Sequence, residues 1–409
     1  MNKNKIINDP VYGFITIPTE LIFDLIEHPF FQRLRRIKQL GLAPYVYPGA
    51  IHTRFHHALG AMHITMQAID TLRSKGHDIT AEEEEALCIA IVLHDIGHGP
   101  FSHALENSIV KNVPHEHISM LIMNVLNREF NGKLSMAIAI FRNEYPKKFL
   151  HQLISSQLDM DRLDYLTRDS FFTGVSEGVI SIDRILKMLN VANDELVVDE
   201  KGIYSVEKFI VARRLMYWQV YLHKTVLAAE NQLINILKRA RELAQSGEDL
   251  FATHCFKNFL THNYSEKDFV ENPDLVSQFC RLDDYDIFAS IKEWSDHSDP
   301  VLSHLAKGMV NRNLYKIKLR AQPFEESELK GFRDHLSSKY KISGELQKYF
   351  IFTGKIENSA YTTRQENINI LYKNGEVKDI ASASDNLSIS ALSESVVKHY
   401  LSVDSYCFR

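Results

Sequence analysis

Residues 93–103, LHDIGHGPFSH, place three histidines and an aspartate in eleven positions behind an apolar run. The residues before them, TAEEEEALCIAIV from Thr80 to Val92, predict a helix. Thr80 and Glu83 have the spacing of a capping box, and the acidic run suits the positive helix start. Gly97, Gly99 and Pro100 stop the helix. His94 and Asp95 then stand in its last turn, where unpaired carbonyls favour a bound cation. Neighbours on a helix diverge by ~100°, so the pair flanks an ion rather than stacking on one side of it. Taken alone, a His-Asp dipeptide reads rather as a capping aspartate beside a core histidine.

Three further stretches change that balance. In RFHHALGAMHITMQAIDTLRSKG (54–76), Phe55, Ala58, Leu59, Met62, Met66, Ile69 and Leu72 recur at steps of three and four, one helix face closed by Gly76. Arg54 and His57 share a different face, expected to be non-apolar. One offers a guanidinium fork for phosphate, the other a neutral imidazole. In LDMDRLDYLTRD (158–169), Asp161, Tyr165 and Asp169 form a stripe at every fourth position. His57, His94, Asp95 and Asp161 together make two imidazoles and two carboxylates. Such a set suits Fe, Mn, Ni, Co or Zn and leaves positions open for water or phosphate oxygens. In ARRLMYWQVYLHK (212–224), Arg213, Tyr217, Tyr221 and Lys224 fall at steps of four, four and three on one expected helix.

The rest of the chain sets bounds. It has 409 residues, 45% hydrophobic and 24% charged, with a net charge of −5, an ordinary globular composition without a basic field for nucleic acid. Eleven of its 19 histidines lie between His28 and His117, which favours a localised site. No apolar run spans a membrane. MNKNKIINDPVYG has no apolar core of a signal peptide. Cys88, Cys255, Cys280 and Cys407 lie far apart, which argues against a thiolate zinc site and a disulfide framework. A cytoplasmic protein is expected. The fold class expected is mainly α. Helices are expected near 115–130, 150–170 and 206–245, with a hairpin in NDELVVDEKGIYSV (193–206) turning at Glu200–Gly202. From about 320 the texture changes. Residues 322–341 predict a helix, KYFIFTG and NINILYKNGEVKDIA strands, and SISALSESVVKHYL (388–401) a closing helix. This divides the chain into a helical core, 1–318, and a small α/β segment, 319–409.

The pattern H…HD…D, with TRFHHALG upstream and DMDRLDYLTRD downstream, resembles that of the HD-domain phosphohydrolases. HDIGHGPFSH is similar to their dNTP triphosphohydrolase branch, of the type that also carries a sterile-alpha-motif domain, which has no counterpart here. The likeness runs from INDPVYG to about RNLYK. It implies an HD-domain helical core, with His57, His94, Asp95 and Asp161 holding the metal and His98, His103 and His115 around a triphosphate. It implies that Arg54 and Arg213 grip phosphate, and that Arg162 stands in for a phosphate-contacting lysine. Tyr165 and Asp169 map to sugar contacts, Gln39 and Leu40 to the sugar and base edge. Tyr217 and Lys224 belong to the same substrate set, and Tyr221 packs under the sugar, leaving no room for a 2′-hydroxyl. Glu106 stands where that type has Asp, and is expected to orient His103 as the acid for the departing 5′-oxygen. Leu222 replaces a base-contacting Gln, so no base preference carries over. The implied reaction turns a dNTP and water into a deoxynucleoside and triphosphate, with Mg²⁺ accompanying the nucleotide.

The resemblance also implies an activating GTP or dGTP site built between subunits of a dimer or tetramer. Its candidates are Lys5, Glu27 (for a guanine-reading Asp), Gln32, Arg35, Arg312 and Lys316. Read from the residues alone, QRLRRIK is equally an exposed basic helix face. Two other functions compete. One is an HD phosphohydrolase acting on a monophosphate, a cyclic nucleotide or an alarmone. The other is a nucleotide sensor or single-stranded nucleic-acid-binding module that kept the fold.

Overall fold

The computed structural model of the chain describes residues 5–101, 103–106, 108–110, 113–342, 344–359, 361, 367–385, 395–404 and 407. The helix expected after Thr80 forms as Ala81–Leu93, and its cap closes as expected. The Thr80 hydroxyl accepts from the Glu83 N–H, and the Glu83 carboxylate accepts from the Thr80 N–H at 2.8 Å. Its apolar body is buried from Ala86 to Leu93. It packs along the Arg54–Ser74 helix, which Met160–Thr173 also lines. These three helices carry the candidate ligands. The one-faced amphipathic reading of residues 54–76 does not hold. Arg54–Ser74 is central, and Arg54 and His57 are buried together with Phe55, Ala58, Leu59 and Met62. Alternation with small residues (Ala58, Gly60, Ala61) lets neighbours approach from several sides, so periodicity at one face understates its burial.

The 150–170 region divides into Lys148–Gln152 and Met160–Thr173, the second capped by Asp159, which accepts from the Arg162 N–H at 2.7 Å. The expected 206–245 helix also breaks. Ile203–Met216 runs into a π-turn at Tyr217–Tyr221, and a new helix, Lys224–Gln245, starts behind His223. Lys224 therefore does not continue the stripe of Arg213, Tyr217 and Tyr221. π-turns widen a helix by one residue and re-aim side chains, frequently at functional sites.

The hairpin is displaced from its expected turn. Leu189–Ala192 pairs antiparallel with Glu195–Asp199, and the turn is Asn193–Asp194, both at positive φ. Asn and Asp tolerate that region better than most residues. Glu200–Gly202 is instead a short 3₁₀ turn leading into Ile203–Met216. In the tail, helix Glu326–Tyr340 and strands Ile351–Asn358, Asn369–Leu371 and Val377–Asp379 form where expected. The closing helix does not. Val396–Val403 is a strand, the middle one of three, between Lys316–Arg320 and Ile351–Asn358 and antiparallel to both. Tertiary pairing overrides the helical spacing of SESVVKHYL, and residues 386–394 lie outside the described residues. The 318/319 boundary falls inside strand Lys316–Arg320. A second link ties tail to core: Asn369–Leu371 pairs parallel with Glu195–Asp199. All four cysteines are free and buried. Among the described residues no helix is long and apolar enough to cross a membrane.

Candidate active site

His94 caps the Ala81–Leu93 helix, and its Nδ1–H donates to the Ile91 carbonyl at 2.6 Å. His57, one turn into its own helix, donates Nδ1–H to Asp164 Oδ2 at 2.7 Å. Each bond occupies Nδ1 and leaves Nε2 facing inward. The two Nε2 atoms and one Asp161 oxygen all lie within 4.8 Å of one another. Asp161 Oδ1 is 3.0 Å from His57 Nε2 and 3.4 Å from His94 Nε2. Asp95 joins them, at 3.4 Å from His94 Nε2 and 3.9 Å from His57 Nε2. His57, His94 and Asp161, spread over more than a hundred residues of sequence, thus come together as one group that could hold an ion, and Asp95 lies beside it while also grouping with His98 and His115.

The donor set fits a divalent cation. Both Nε2 atoms are buried and make no hydrogen bond, although carboxylate oxygens stand within reach. A buried polar atom without a partner is costly, and a shared ion satisfies both at once. The electrostatics agree. Burial alone lowers the His57 pKa, yet Asp161 and Asp164 outweigh it and lift the ring to about 10. Burial opposes ionisation of Asp161 too, and His57 and His94 still hold it below the usual carboxylate range. The centre attracts positive charge. Arg54 supplies part of it through an ion pair with Asp95.

Beyond the four, the ring of His98 stacks on His115 at 3.7 Å, and His98 Nε2 is 3.3 Å from Asp95. Burial and the neighbouring Arg54 push His98 down to about 3, so it is neutral. His115 Nδ1 donates to Glu106 Oε1 at 2.9 Å. Glu106 thus engages His115. The expected His103–Glu106 pairing falls on the short helix His103–Glu106, but the His103 side chain lies outside the described residues.

On the other side, Asp169 is locked from two directions. His52 Nε2–H donates to Oδ1 and the Tyr221 hydroxyl to Oδ2, each at 2.7 Å. Tyr221 meets Tyr165 and Tyr217 edge-on, with centroids 6.2 and 5.0 Å away, and Arg213 lies over the Tyr217 ring at 5.9 Å. Gln39 has a buried, unpartnered Oε1, while Leu40 packs on Ala43, Ala50 and Val226. Arg162 leans back to Ser156 O at 2.6 Å and Asp159 Oδ2 at 3.1 Å. Lys224 is exposed, and among the described residues no hydrogen bond or ion pair joins it to the others.

Comparison with known proteins agrees with this geometry. The HD domain pattern matches residues 54–169, and the HD associated region matches 180–252. The uncharacterized protein YwfO of Bacillus subtilis is 33% identical over the whole chain and 94% of its own. The chain belongs to the HD-domain phosphohydrolase family. A crystal structure of a phosphohydrolase from Bacteroides thetaiotaomicron is 54% identical, with a TM-score of 0.94, covering 98% of this chain and 99% of that one. The deoxynucleoside triphosphate triphosphohydrolase SAMHD1 homolog of Dictyostelium discoideum is 28% identical over 77% of this chain and 60% of its own. The chain is a metal-dependent phosphohydrolase that binds a divalent cation at its His/Asp cluster.

Part of the phosphohydrolase's site escaped the sequence reading. Asp164, which fixes His57, is itself held by Arg168 through two bonds of 3.0 Å, and Arg168 reaches Asp9 at 2.7 Å. Gly60 makes room for this relay: a Cβ there would lie 2.1 Å from both Arg168 Nη2 and Asp164 Oδ1. The signal was present as a second four-residue step, Asp164 to Arg168, interleaved with the Asp161 stripe. His52, stacked on Phe172 at 4.5 Å, gave no periodic signal because it precedes its helix. Asp284, too, went unread. It accepts the Lys38 N–H at 3.0 Å and the Phe101 N–H at 3.2 Å, pinning the turn after the HD pair.

Among the six residues expected at an activating site, Gln32 and Arg35 are joined directly. Lys5 lies over the Phe23 ring at 3.3 Å, and Glu27 is exposed. Gln32 accepts from Arg35 at 2.8 Å, and Arg35 covers the Phe55 ring at 3.6 Å. Arg312 donates to the Tyr45 carbonyl at 3.0 Å, and Lys316, exposed, opens the strand Lys316–Arg320.

Proposed function

We propose that the chain hydrolyses deoxynucleoside triphosphates to deoxynucleoside and inorganic triphosphate. In this reading His57, His94, Asp95 and Asp161 hold one divalent ion from among Fe, Mn, Ni, Co and Zn. One observation carries it. The Met160–Thr173 helix presents Asp161 to the two imidazoles and, eight residues on, Asp169 to Tyr221 and His52. About 12 Å of helix rise separates these two carboxylates. That interval, walled by tyrosine rings, suits a sugar between a phosphate end and a hydroxyl-reading end. A ring packed under the sugar disfavours a 2′-hydroxyl and so a ribonucleotide. The name of the relative from Dictyostelium discoideum supports the same substrate class.

A bound divalent ion supplies Lewis-acid activation of water and polarises phosphate oxygens. The side chains supply the rest. Arg54, Arg162 and Arg213 offset charge growing on the phosphoryl oxygens. His98, neutral and stacked on His115, and His115, oriented by Glu106, line the triphosphate side. Water adds at the α-phosphorus, the bond to the 5′-oxygen breaks, and His103 delivers the proton that this oxygen takes. Asp169, with Gln39 and Leu40, reads the sugar edge. Mg²⁺ accompanies the phosphates as their counter-ion. Activation by GTP or dGTP, through Lys5, Glu27, Gln32, Arg35, Arg312 and Lys316, belongs to a dimer or tetramer that brings these residues together across subunits. The test is product identification with each of the four dNTPs on metal-loaded protein. Deoxynucleoside plus intact triphosphate is expected. Release of phosphate or pyrophosphate instead, or no turnover of any dNTP, overturns the proposal.

A further inference from the structure

The Lys224–Gln245 helix carries a second polar stripe, Asn231, Asn235, Lys238, Glu242 and Gln245, at steps of three and four. Lys238, Glu242 and Gln245 of this stripe are exposed at the rim, while Asn231 and Asn235 lie deeper. The stripe faces the tail sheet, where Phe352, Thr353 and Tyr400 stand opposite, and a cavity of 580 Å³ lies between them. A helix facing a sheet ordinarily closes the gap with apolar side chains. Here the gap is kept and its helix wall is polar. Its volume falls in the range of small-molecule sites, roughly 300–1,000 Å³.

The charges around it are unequal. Lys238, Arg241 and Lys348 line the cavity against one acid, Glu242. Glu242 already meets Arg239 at 3.1 Å and Lys348 at 3.3 Å. Arg241 is the decisive residue. It is 6% exposed, and no carboxylate pairs with it among the described residues. Its terminal nitrogens donate only to neutral oxygens: the carbonyls of Ser108 (2.8 Å), Ile109 (2.5 Å) and His262 (2.9 Å), and the Asn263 amide (2.5 Å). Burial accordingly lowers its pKa, with no acid to oppose it. A buried cation without a counter-charge is costly, and an anion beside it removes that cost. The same guanidinium ties this cavity to the segment following the His103–Glu106 helix, because Ser108 and Ile109 hang on it.

We propose that this cavity binds a small phosphate-bearing anion of up to nucleotide size, and that the bound anion steadies Arg241 and with it residues 108–110. The binding site stands independently of the substrate assignment; the effect on turnover rests on the proposed roles of His103 and Glu106. Lys238 and Lys348 supply mobile contacts to the phosphate, and Arg241 the fixed positive charge behind them. The occupant comes from one of two sources sharing this chemistry, an inorganic polyphosphate or a nucleotide.

The test uses the full chain and its Lys238→Glu/Lys348→Glu variant, both at exposed positions away from the Asp161 centre, with retention of fold checked by circular dichroism. Calorimetric titration with inorganic tripolyphosphate and, separately, with a ribonucleoside triphosphate is followed by amide exchange. Two classes of site are expected in the parent protein. The variant is expected to weaken one of them by at least about tenfold, from reversal of two charges near the phosphate. Exchange at residues 108–110 is expected to slow with ligand in the parent and not in the variant. Loss with both ligands assigns the phosphate alone as the determinant, and loss with the nucleotide only assigns its organic body as well. Equal binding and equal protection in parent and variant overturn the proposal. Arg54→Ala/Arg213→Ala serves as the contrasting arm. If it keeps full turnover, the substrate reading fails while the cavity result stands.

Discussion

Asp164 decides which nitrogen of His57 faces the centre. By accepting from Nδ1 it leaves Nε2 as the inward lone pair, and Arg168 and Asp9 hold the carboxylate in place. Such partners of a ligating histidine typically govern 10–100-fold in metal affinity. Asp164→Asn is therefore expected to weaken metal binding by about that factor, read by competition with a chelating dye; an unchanged affinity would remove Asp164 from the role. Asp161→Ala is expected to abolish turnover and lower bound metal, with fold retained by circular dichroism. Parent-level hydrolysis by that variant would end the assignment. At this scale the candidate ligands were legible in the sequence, because His and Asp in HDIGHGPFSH and LDMDRLDYLTRD are rare enough in combination to stand out. It hid their support. Asp164, Arg168 and Gly60 look like ordinary members of charged or apolar helices until two helices are seen to meet at Gly60, where a side chain of any size would strike the ion pair.

The Ala81–Leu93 helix shows an element whose beginning and end are both written locally. Its start depends on Thr80, and Thr80→Ala is expected to cost about 1 kcal/mol in chemical denaturation, the usual worth of an N-cap. Glu83 adds a pH dependence. Burial opposes its charge, but Lys147 at 2.7 Å, the Thr80 N–H and the Tyr145 hydroxyl hold its carboxyl below the ordinary 4.5. Its folded pKa lies below the unfolded one. Its stabilisation is therefore complete above that ordinary value and is lost as pH falls through the lowered one. Glu83→Gln is expected to flatten the acid limb of stability against pH, measured by urea midpoints below about pH 5. An unaltered acid limb would mean that other carboxylates set it. Elements with competing signals were less legible. ARRLMYWQVYLHK has a clean four-residue step, yet a π-turn at Tyr217–Tyr221 interrupts it and sends Lys224 outward. Nothing in aromatic spacing alone distinguishes a continuous helix from one widened by a single residue.

For the whole molecule, the tail is bound to the core by pairing rather than by linkage alone. Val396–Val403 is flanked on both sides, and Asn369–Leu371 extends a hairpin from the core. Leu401, in the middle of that strand, is 2% exposed. Leu401→Ala is expected to destabilise the chain by about 2–5 kcal/mol through cavity formation, without changing metal content. Denaturation midpoints together with metal analysis test both halves. The helical body was readable in advance because its contacts are largely local and periodic. The sheet order was not, since a strand such as Val396–Val403 is specified by partners some eighty and forty-five residues earlier in the chain, at Lys316–Arg320 and Ile351–Asn358. All of these levels meet at the place where the Arg54–Ser74, Ala81–Leu93 and Met160–Thr173 helices come together. An anomalous difference map from metal-loaded crystals, recorded above the absorption edge of the bound metal, examines that place directly. One peak is expected, about 2.0–2.2 Å from His57 Nε2, His94 Nε2 and the nearest oxygens of Asp95 and Asp161. A map with no peak among these four side chains, or with its peak elsewhere in the chain, would refute the shared centre.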